Sequence, residues 1–351
     1  MRIPRARPGA ILEVPLGPWV DGINEKKEAG VLTATELRAA ANVLFDEVPG
    51  QTTKRWGNFA AATMPSGTPA KYGYKYIKSD GTELLLVSDG EKLYSTADLV
   101  TFTELIATLD DTAYLSFETM DGRCWITNGV DATMWYDGTN FVVMDREYGA
   151  AVTATTGAGT DQTHIVDTNL TQANDYWNLR KVVITSGTYA GMEGTVTDFD
   201  AATDTLTISG FDNDPGAGVT YQVGLIMPKG KIIRSDGNSL FIGATSENPA
   251  EIRFSRPTDP DTGANMSIDN PRAWPATYQI AITQDDGDQV WTFSPKHRDR
   301  ILVTKSAAIY RLDPDPTFVY VPSLVSQEVG CRYQDSWASK DDVLYFMGNE
   351  R

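Results

Sequence analysis

Along most of the chain, apolar residues come in runs of about five, alternating or continuous, rich in Val, Ile, Thr and Tyr and closed by Gly, Asp or Asn. That pattern predicts short strands joined by tight turns. One stretch differs. In TATELRAAANVLFDEV, Leu37, Ala41 and Leu44 recur at helical spacing. Thr33 and Glu36 fit a capping box, in which hydroxyl and carboxylate satisfy orphan backbone N–H groups. Pro49 and Gly50 close the segment. The expectation is a mainly β protein with an N-terminal helix over residues 34–45.

The strands repeat. ELLLVSDGEKLYST (83–96), RCWITNGVDATMWYDG (123–138), SLFIGATSENPAEIRFSR (239–256) and RILVTKSAAIYRLD (300–313) share one reading. Each is an apolar strand, a small or polar turn, and a second strand carrying Tyr94, Trp135, Phe254 or Tyr310. Weaker strands precede them in AKYGYKYIKS, AYLSFETM, GKIIRS and QVWTFSP. Three or four strands per unit, repeated, predicts β-propeller-like blades, with a β-sandwich as the competing architecture.

Spacing sharpens this. Val87 to Ile126 is 39 residues, Ile242 to Val303 is 61, and Val303 to Phe346 is 43, but Ile126 to Ile242 is 116. A 76-residue block of different composition, 151–226, lies in that gap, and without it 40 residues remain. The block carries its own strands, in HIVDTNL, RKVVITSGTYAG, GTVTDFDAATDTLTISG and VTYQVG, and its own aromatics, Tyr176, Trp177, Tyr189 and Tyr221. It reads as a small β-barrel or β-sandwich module inserted at an exposed loop. The predicted organisation is an arm and helix (1–66), a first group of blades (67–150), the inserted module (151–226) and a second group of blades (227–351). At the far end, Val343 to Phe346 reads as a buried strand followed by a turn, so a fifth hairpin lacks its second strand. An open blade leaves an unpaired edge. The expectation is that the blades are incomplete, and that residues beyond Arg351 or another chain complete them.

Charge narrows the partners. With 47 acidic against 30 basic residues the net charge is −17, which repels phosphate backbones and anionic lipid. Arg2, Arg5 and Arg7 are a local exception, set among Pro4 and Pro8, and read as an extended arm, either a solvated tail or a docking arm for an acidic partner. Cys124 and Cys331 lie far apart beside apolar neighbours and read as buried free thiols. No apolar run approaches the roughly 18 residues of a membrane-crossing helix. The arginine-bearing start, broken by Pro15 and Pro18, is a poor signal peptide, so synthesis in a cytoplasm is expected.

Candidate chemistry is sparse. The two histidines, His164 and His297, lie in a strand-like and a polar context, and no GxSxG elbow, phosphate-binding loop, GxGxxG or HExxH is present. TQDDGDQVW (283–291) echoes the Asp-box turn of sialidases through Thr283, Asp285 and Gly287, with Trp291 one residue late. That box is a turn-forming element, not a catalytic one. Asp259 with Asp261, Asp313 with Asp315, and Asp198 with Asp200 and Asp204 read as turn chemistry rather than calcium loops. The expectation is no enzyme, no catalytic residue, no metal and no cofactor. Trp274 and Tyr278 in the long loop 255–280 are the aromatics for an alternative function, a propeller that binds or cleaves host surface polysaccharide.

The N-terminal stretch GPWVDGINEKKEAGVLTATELRAAANVLFDEVPGQTTKRWGNF resembles the opening of tail-nozzle (tail tubular protein B-like) virion proteins of tailed bacteriophages. The matching residues are Gly22 and Asn24, the acidic segment Glu36 to Asn42, and Arg55 with Gly57; Asp21 stands where that family often has Gly. SLVSQEVGCRYQDSWASKDDVLYFMGNER is similar to the family's late-blade phrase, and the inserted block to small β modules of phage tail and fibre proteins. These patches cover about half of the chain. The resemblance implies a virion tail component assembled in the bacterial cytoplasm. Such a protein forms a ring, commonly a hexamer, that docks neighbouring tail proteins and conducts DNA without sequence-specific binding. It makes Arg2, Arg5, Arg7, Leu37, Arg38 and Arg55 the candidate subunit contacts.

Overall fold

The computed structural model describes residues 43–45, 52–54, 62–149, 154–258, 263, 265–283, 286–315, 319–334, 336–340 and 343–348. Two compact units divide the chain at Ala61 and Ala62. In the first, Val43–Phe45 (β1) pairs antiparallel with Thr52–Lys54 (β2), Val43 opposite Lys54 and Phe45 opposite Thr52. This corrects the predicted helix over its last turn. Val43 and Phe45 favour an extended backbone, and Thr52 and Thr53 supply a β-branched partner strand that satisfies the backbone groups of both segments. Residues 34–42 of that expectation lie outside the described residues.

The second unit contains four four-stranded antiparallel sheets, each a simple meander in chain order. The first runs Tyr72–Ile77 (β3), Glu83–Ser88 (β4), Leu93–Thr96 (β5) and Thr103–Ile106 (β6). The second runs Ser116–Met120 (β7), Arg123–Thr127 (β8), Met134–Tyr136 (β9) and Phe141–Val143 (β10). A six-stranded sheet then interrupts the series, formed by Asp145–Tyr148 (β11), His164–Val166 (β12), Lys181–Ile184 (β13), Glu193–Asp200 (β14), Thr205–Ser209 (β15) and Tyr221–Ile226 (β16). Its order is β11-β16-β13-β14-β15-β12. The series resumes with Gly230–Ser235 (β17), Leu240–Thr245 (β18), Glu251–Phe254 (β19) and Gln279–Ala281 (β20). The fourth meander is Thr292–Phe293 (β21), Ile301–Thr304 (β22), Ile309–Asp315 (β23) and Val319–Ser326 (β24). Ala338–Lys340 (β25) and Val343–Tyr345 (β26) form a last hairpin.

Successive meanders meet through their first strands: β3 lies against β7, β7 against β17, and β17 against β21. Each junction has an apolar filling and polar ties. Tyr76, Leu93, Phe117, Ile126 and Met134 fill the first, where the Tyr74 hydroxyl meets Thr119 Oγ1 at 2.9 Å and Tyr76 donates to the Gly122 carbonyl at 2.5 Å. Loss of water around these phenols pushes both tyrosines up to about 12. Trp125, Trp135, Ile233 and Leu240 fill the second, tied by the Arg234–Glu118 ion pair at 3.1 Å and by Thr127 donating to the Gly230 carbonyl at 2.6 Å. Phe241, Phe254, Phe293 and Tyr320 fill the third. Gly243 is required there: a Cβ would stand 2.6 Å from the Phe293 ring. Both cysteines are free and buried.

The six-stranded sheet has a core of its own, in which Ile165, Trp177, Val182, Val196, Phe199, Leu206 and Tyr221 are fully or almost fully buried. Asp145–Tyr148, upstream of position 151, supplies its edge strand by pairing with β16, Tyr148 opposite Val223. Entry and exit are therefore adjacent, and the Met227 N–H reaches the Met144 carbonyl at 3.3 Å. Between β14 and β15 the Asp200 carboxylate accepts from the Ala202 N–H and the Thr203 hydroxyl, at 2.9 Å each, so this Asp builds the turn.

Candidate functional site

The turns that join first to second strands gather at one end of the second, third and fourth meanders. Asp121 and Gly122 form a two-residue turn with φ of 53° and 69°, between the paired Met120 and Arg123. Asp236, Gly237 and Asn238 turn β17 into β18, and Lys296 to Asp299 lie between β21 and β22. Asp121, Asp236, Gly237, Asn238, Lys296 and Asp299, with Tyr320 and Arg300, line a polar cavity of about 570 Å³. Asp236, almost fully buried, accepts from the Asn238 and Ser239 N–H groups at 2.8 Å each and from the Tyr320 hydroxyl at 2.6 Å. Burial and this carboxylate push the Tyr320 phenol well above its ordinary range. Lys296 pairs with Asp299 at 3.3 Å, and Arg300 donates to Asp313 at 3.1 Å. Asp121 is accessible at the rim, yet the protein packed around it raises its carboxyl, with Asp269 adding and Arg123 opposing.

The cavity thus has carboxylates and cations, but Asp236, Asp299 and Arg300 are engaged in building its walls. Tyr320→Phe is expected to cost about 1–2 kcal/mol, because it removes a donor from a buried carboxylate; urea unfolding measures this. An unchanged midpoint would show that water replaces the phenol.

The histidines do not assemble a triad. Thr163 Oγ1 and Asp161 Oδ1 both meet His164 Nδ1, at 2.9 and 3.0 Å, whereas a triad needs nucleophile and acid on opposite ring nitrogens. Hydrogen bonds from the Thr163 N–H and hydroxyl, aided by His164, hold the Asp161 carboxyl at about 2. The His297 N–H and carbonyl form a reciprocal bridge with Arg300.

The Asp-box-like segment builds a clamp. Asp286 and Asp288 carry it, and Asp285 lies outside the described residues. Lys305, 1% exposed, donates to the Ile282 and Thr283 carbonyls at 2.9 and 3.0 Å, to Thr283 Oγ1 at 2.8 Å and to Asp286 at 2.5 Å. Asp288 accepts from the Trp291 indole at 2.9 Å and from the Ser306 N–H at 2.7 Å. Sequence reasoning passed over Lys305 and these two carboxylates; a lysine directly after the apolar run Ile301–Thr304 is the signal that could have found them.

Of the other candidates, Arg2, Arg5, Arg7, Leu37, Arg38 and Arg55 lie outside the described residues. Trp274 and Tyr278 line different cavities and are both half-buried. The Trp274 indole donates to the Ile268 carbonyl at 3.0 Å, and the Tyr278 ring packs 5.1 Å from Phe254 with Arg256 over it. The structure does not bring these two rings to one platform. Exposed apolar side chains concentrate instead at the end of the series. Leu324 and Val325 on β24, Val343 and Tyr345 on β26, and Met347 are 47–65% exposed. This corrects the buried reading of Val343 to Phe346: β26 has a single partner strand, β25, its Val343 and Tyr345 side chains are exposed, and Leu344 and Phe346 are half-buried. No helix among the described residues is long and apolar enough to cross a membrane.

No protein-family model and no curated protein matches the chain. Among solved structures it is similar to the extracellular domain of a one-component system from B. thetaiotaomicron, at 11% identity over 83% of this chain and 32% of that one, TM-score 0.29. It is similar also to Raptor of Chaetomium thermophilum, at 13% identity over 82% of this chain and 24% of that one, TM-score 0.29. A third is YCF48 bound to D1 peptide, at 10% identity over 83% of this chain and 96% of that one, TM-score 0.21. The chain spans about a third and a quarter of the length of the first two.

Proposed function

We propose that the chain is a structural component of a tailed-phage virion, a series of propeller-like blades that assembles with copies of itself and with neighbouring tail proteins around a DNA passage. The observation that carries this reading is the apolar surface on β24 and β26. Leu324 and Val325 on β24, and Val343 and Tyr345 on β26, are exposed apolar side chains late in the series, the kind of surface that another polypeptide covers. Meander sheets joined by their first strands support blades over a two-layer sandwich. The net charge of −17 suits a lumen that lets DNA pass without adhering. The walls of the polar cavity are used for building turns, which supports a scaffold over a catalyst.

Light scattering of the purified full chain, together with immunogold imaging of virions, tests the proposal. A discrete oligomer that Leu324→Asp combined with Tyr345→Asp dissociates, and label on the tail, are the expected results. A monomer at high concentration that is missing from purified particles overturns it.

A further inference from the structure

A second cavity, of about 560 Å³, opens beside β17 and β21, and its chemistry is unlike the rest of the molecule. Lys231, Gln289, Trp291, Arg332, Tyr333 and Gln334 stand in its wall. Two of these are cations, and no acidic side chain among the described residues lines it, in a chain of net charge −17. The aromatic side is oriented from behind. The Trp291 indole donates to Asp288 at 2.9 Å, and the Trp291 backbone N–H to the Thr304 carbonyl at 2.8 Å. The Arg332 guanidinium lies over that ring, 5.4 Å from its centroid. Stacking in this way leaves the edge of the guanidinium for a planar anion. Lys231 Nζ is held 3.1 Å from Gln289 Oε1, and Gln334 Nε2 donates to the Lys231 carbonyl at 3.2 Å. Tyr333 is 56% exposed at the mouth.

We infer that this cavity binds a carboxylated pyranose, a uronic-acid unit of an acidic polysaccharide. An aromatic ring takes the apolar face of a sugar, an arginine edge takes a carboxylate through two N–H bonds, and side-chain amides exchange hydrogen bonds with hydroxyls. Charge selects the ligand. A neutral sugar makes no ion pair with either exposed cation, whereas a carboxylate does. A nucleic acid strand places its anions on the linkages between its rings, whereas a uronic acid carries its carboxylate on the ring itself, within one cavity that offers an aromatic face and a guanidinium edge together. The inference stands apart from the assembly reading, since Arg332 and Tyr333 can be changed without touching β24 or β26.

Titration calorimetry of the full chain with an oligogalacturonate at low ionic strength tests it, alongside a malto-oligosaccharide of equal length and an oligothymidylate. The oligogalacturonate is expected to bind at least about tenfold more tightly than the neutral sugar, and Arg332→Gln to weaken it by about tenfold or more. Lys231→Met should weaken it less, because that ammonium already has an amide partner. Arg332 and Tyr333 are exposed, so variants there keep the fold, and Tyr333→Ala provides a second reading of the stacking face. No binding of the oligogalacturonate, equal binding of the neutral sugar, indifference to Arg332→Gln, or tighter binding of the oligothymidylate would each overturn the assignment.

Discussion

Trp177→Ala is expected to melt the six-stranded sheet of residues 145–226 while the meander sheets persist. Trp177 is 2% exposed in a core drawn wholly from its own sheet and loops, which it shares with Ile165, Val182, Val196, Phe199 and Tyr221. Its indole donates to Gln172 at 3.1 Å, and its ring meets Tyr176 edge-on at 4.9 Å. Truncation removes the largest side chain of that core and leaves a cavity, a change that costs about 3–5 kcal/mol. A sheet of this size has little more stability than that to lose. Differential scanning calorimetry should show an early transition, with the aromatic signals of the meander sheets unchanged. A single lowered transition of the whole chain would show instead that the inserted sheet and the meander sheets fold as one cooperative unit.

Lys305→Met is the second large effect, expected to destabilise by about 2–4 kcal/mol. The substitution keeps most of the volume of the side chain and removes the ammonium. The Ile282 and Thr283 carbonyls and Thr283 Oγ1 then lose their shared donor inside the protein. Asp286 contributes less than its 2.5 Å contact indicates, because its side chain is 41% exposed and water screens the pair. Burial alone would push the Asp286 carboxyl up, but the Lys305 and Thr283 hydrogen bonds more than offset this and hold it below the ordinary range. A depressed carboxyl adds stability above its unfolded value, near 3.9, and that stability is lost as pH falls through the folded value. The wild type should therefore lose stability below about pH 4 more steeply than Lys305→Met does. Parallel acid-unfolding curves for the two proteins would refute the clamp.

The parts of the fold that could be read from sequence were those in which local pattern and packing agree. Leu84 to Val87, Cys124 to Ile126, Leu240 to Ile242 and Ile301 to Val303 form second strands flanked on both sides, so they are continuous apolar runs. The fourth strand of each sheet was not separately visible. Thr103–Ile106 and Gln279–Ala281 pair along one edge only and carry polar residues that look like loop. The helix failed over Val43 to Phe45 because an apolar stripe of three positions does not distinguish a short helix from a strand when a partner lies a few residues on. At the sites, turn-forming aspartates were legible by residue type, but their long-range partners were not. Nothing in the sequence near Asp236 points to Tyr320, 84 positions away, nor near Asp286 to Lys305. The cation-lined cavity was equally hidden, since Lys231 and Arg332 come from segments a hundred residues apart.

The adjacency of Met144 and Met227 makes residues 145–226 a cassette. Both ends of the insertion lie in register beside one another, so the meander series experiences the whole block as a single closed turn. Its length, charge and binding properties can change while the spacing of the meanders stays constant. Joining Met144 to Met227 through a short glycine-containing linker should leave the four meanders intact, and an unrelated domain with neighbouring termini could take the same place.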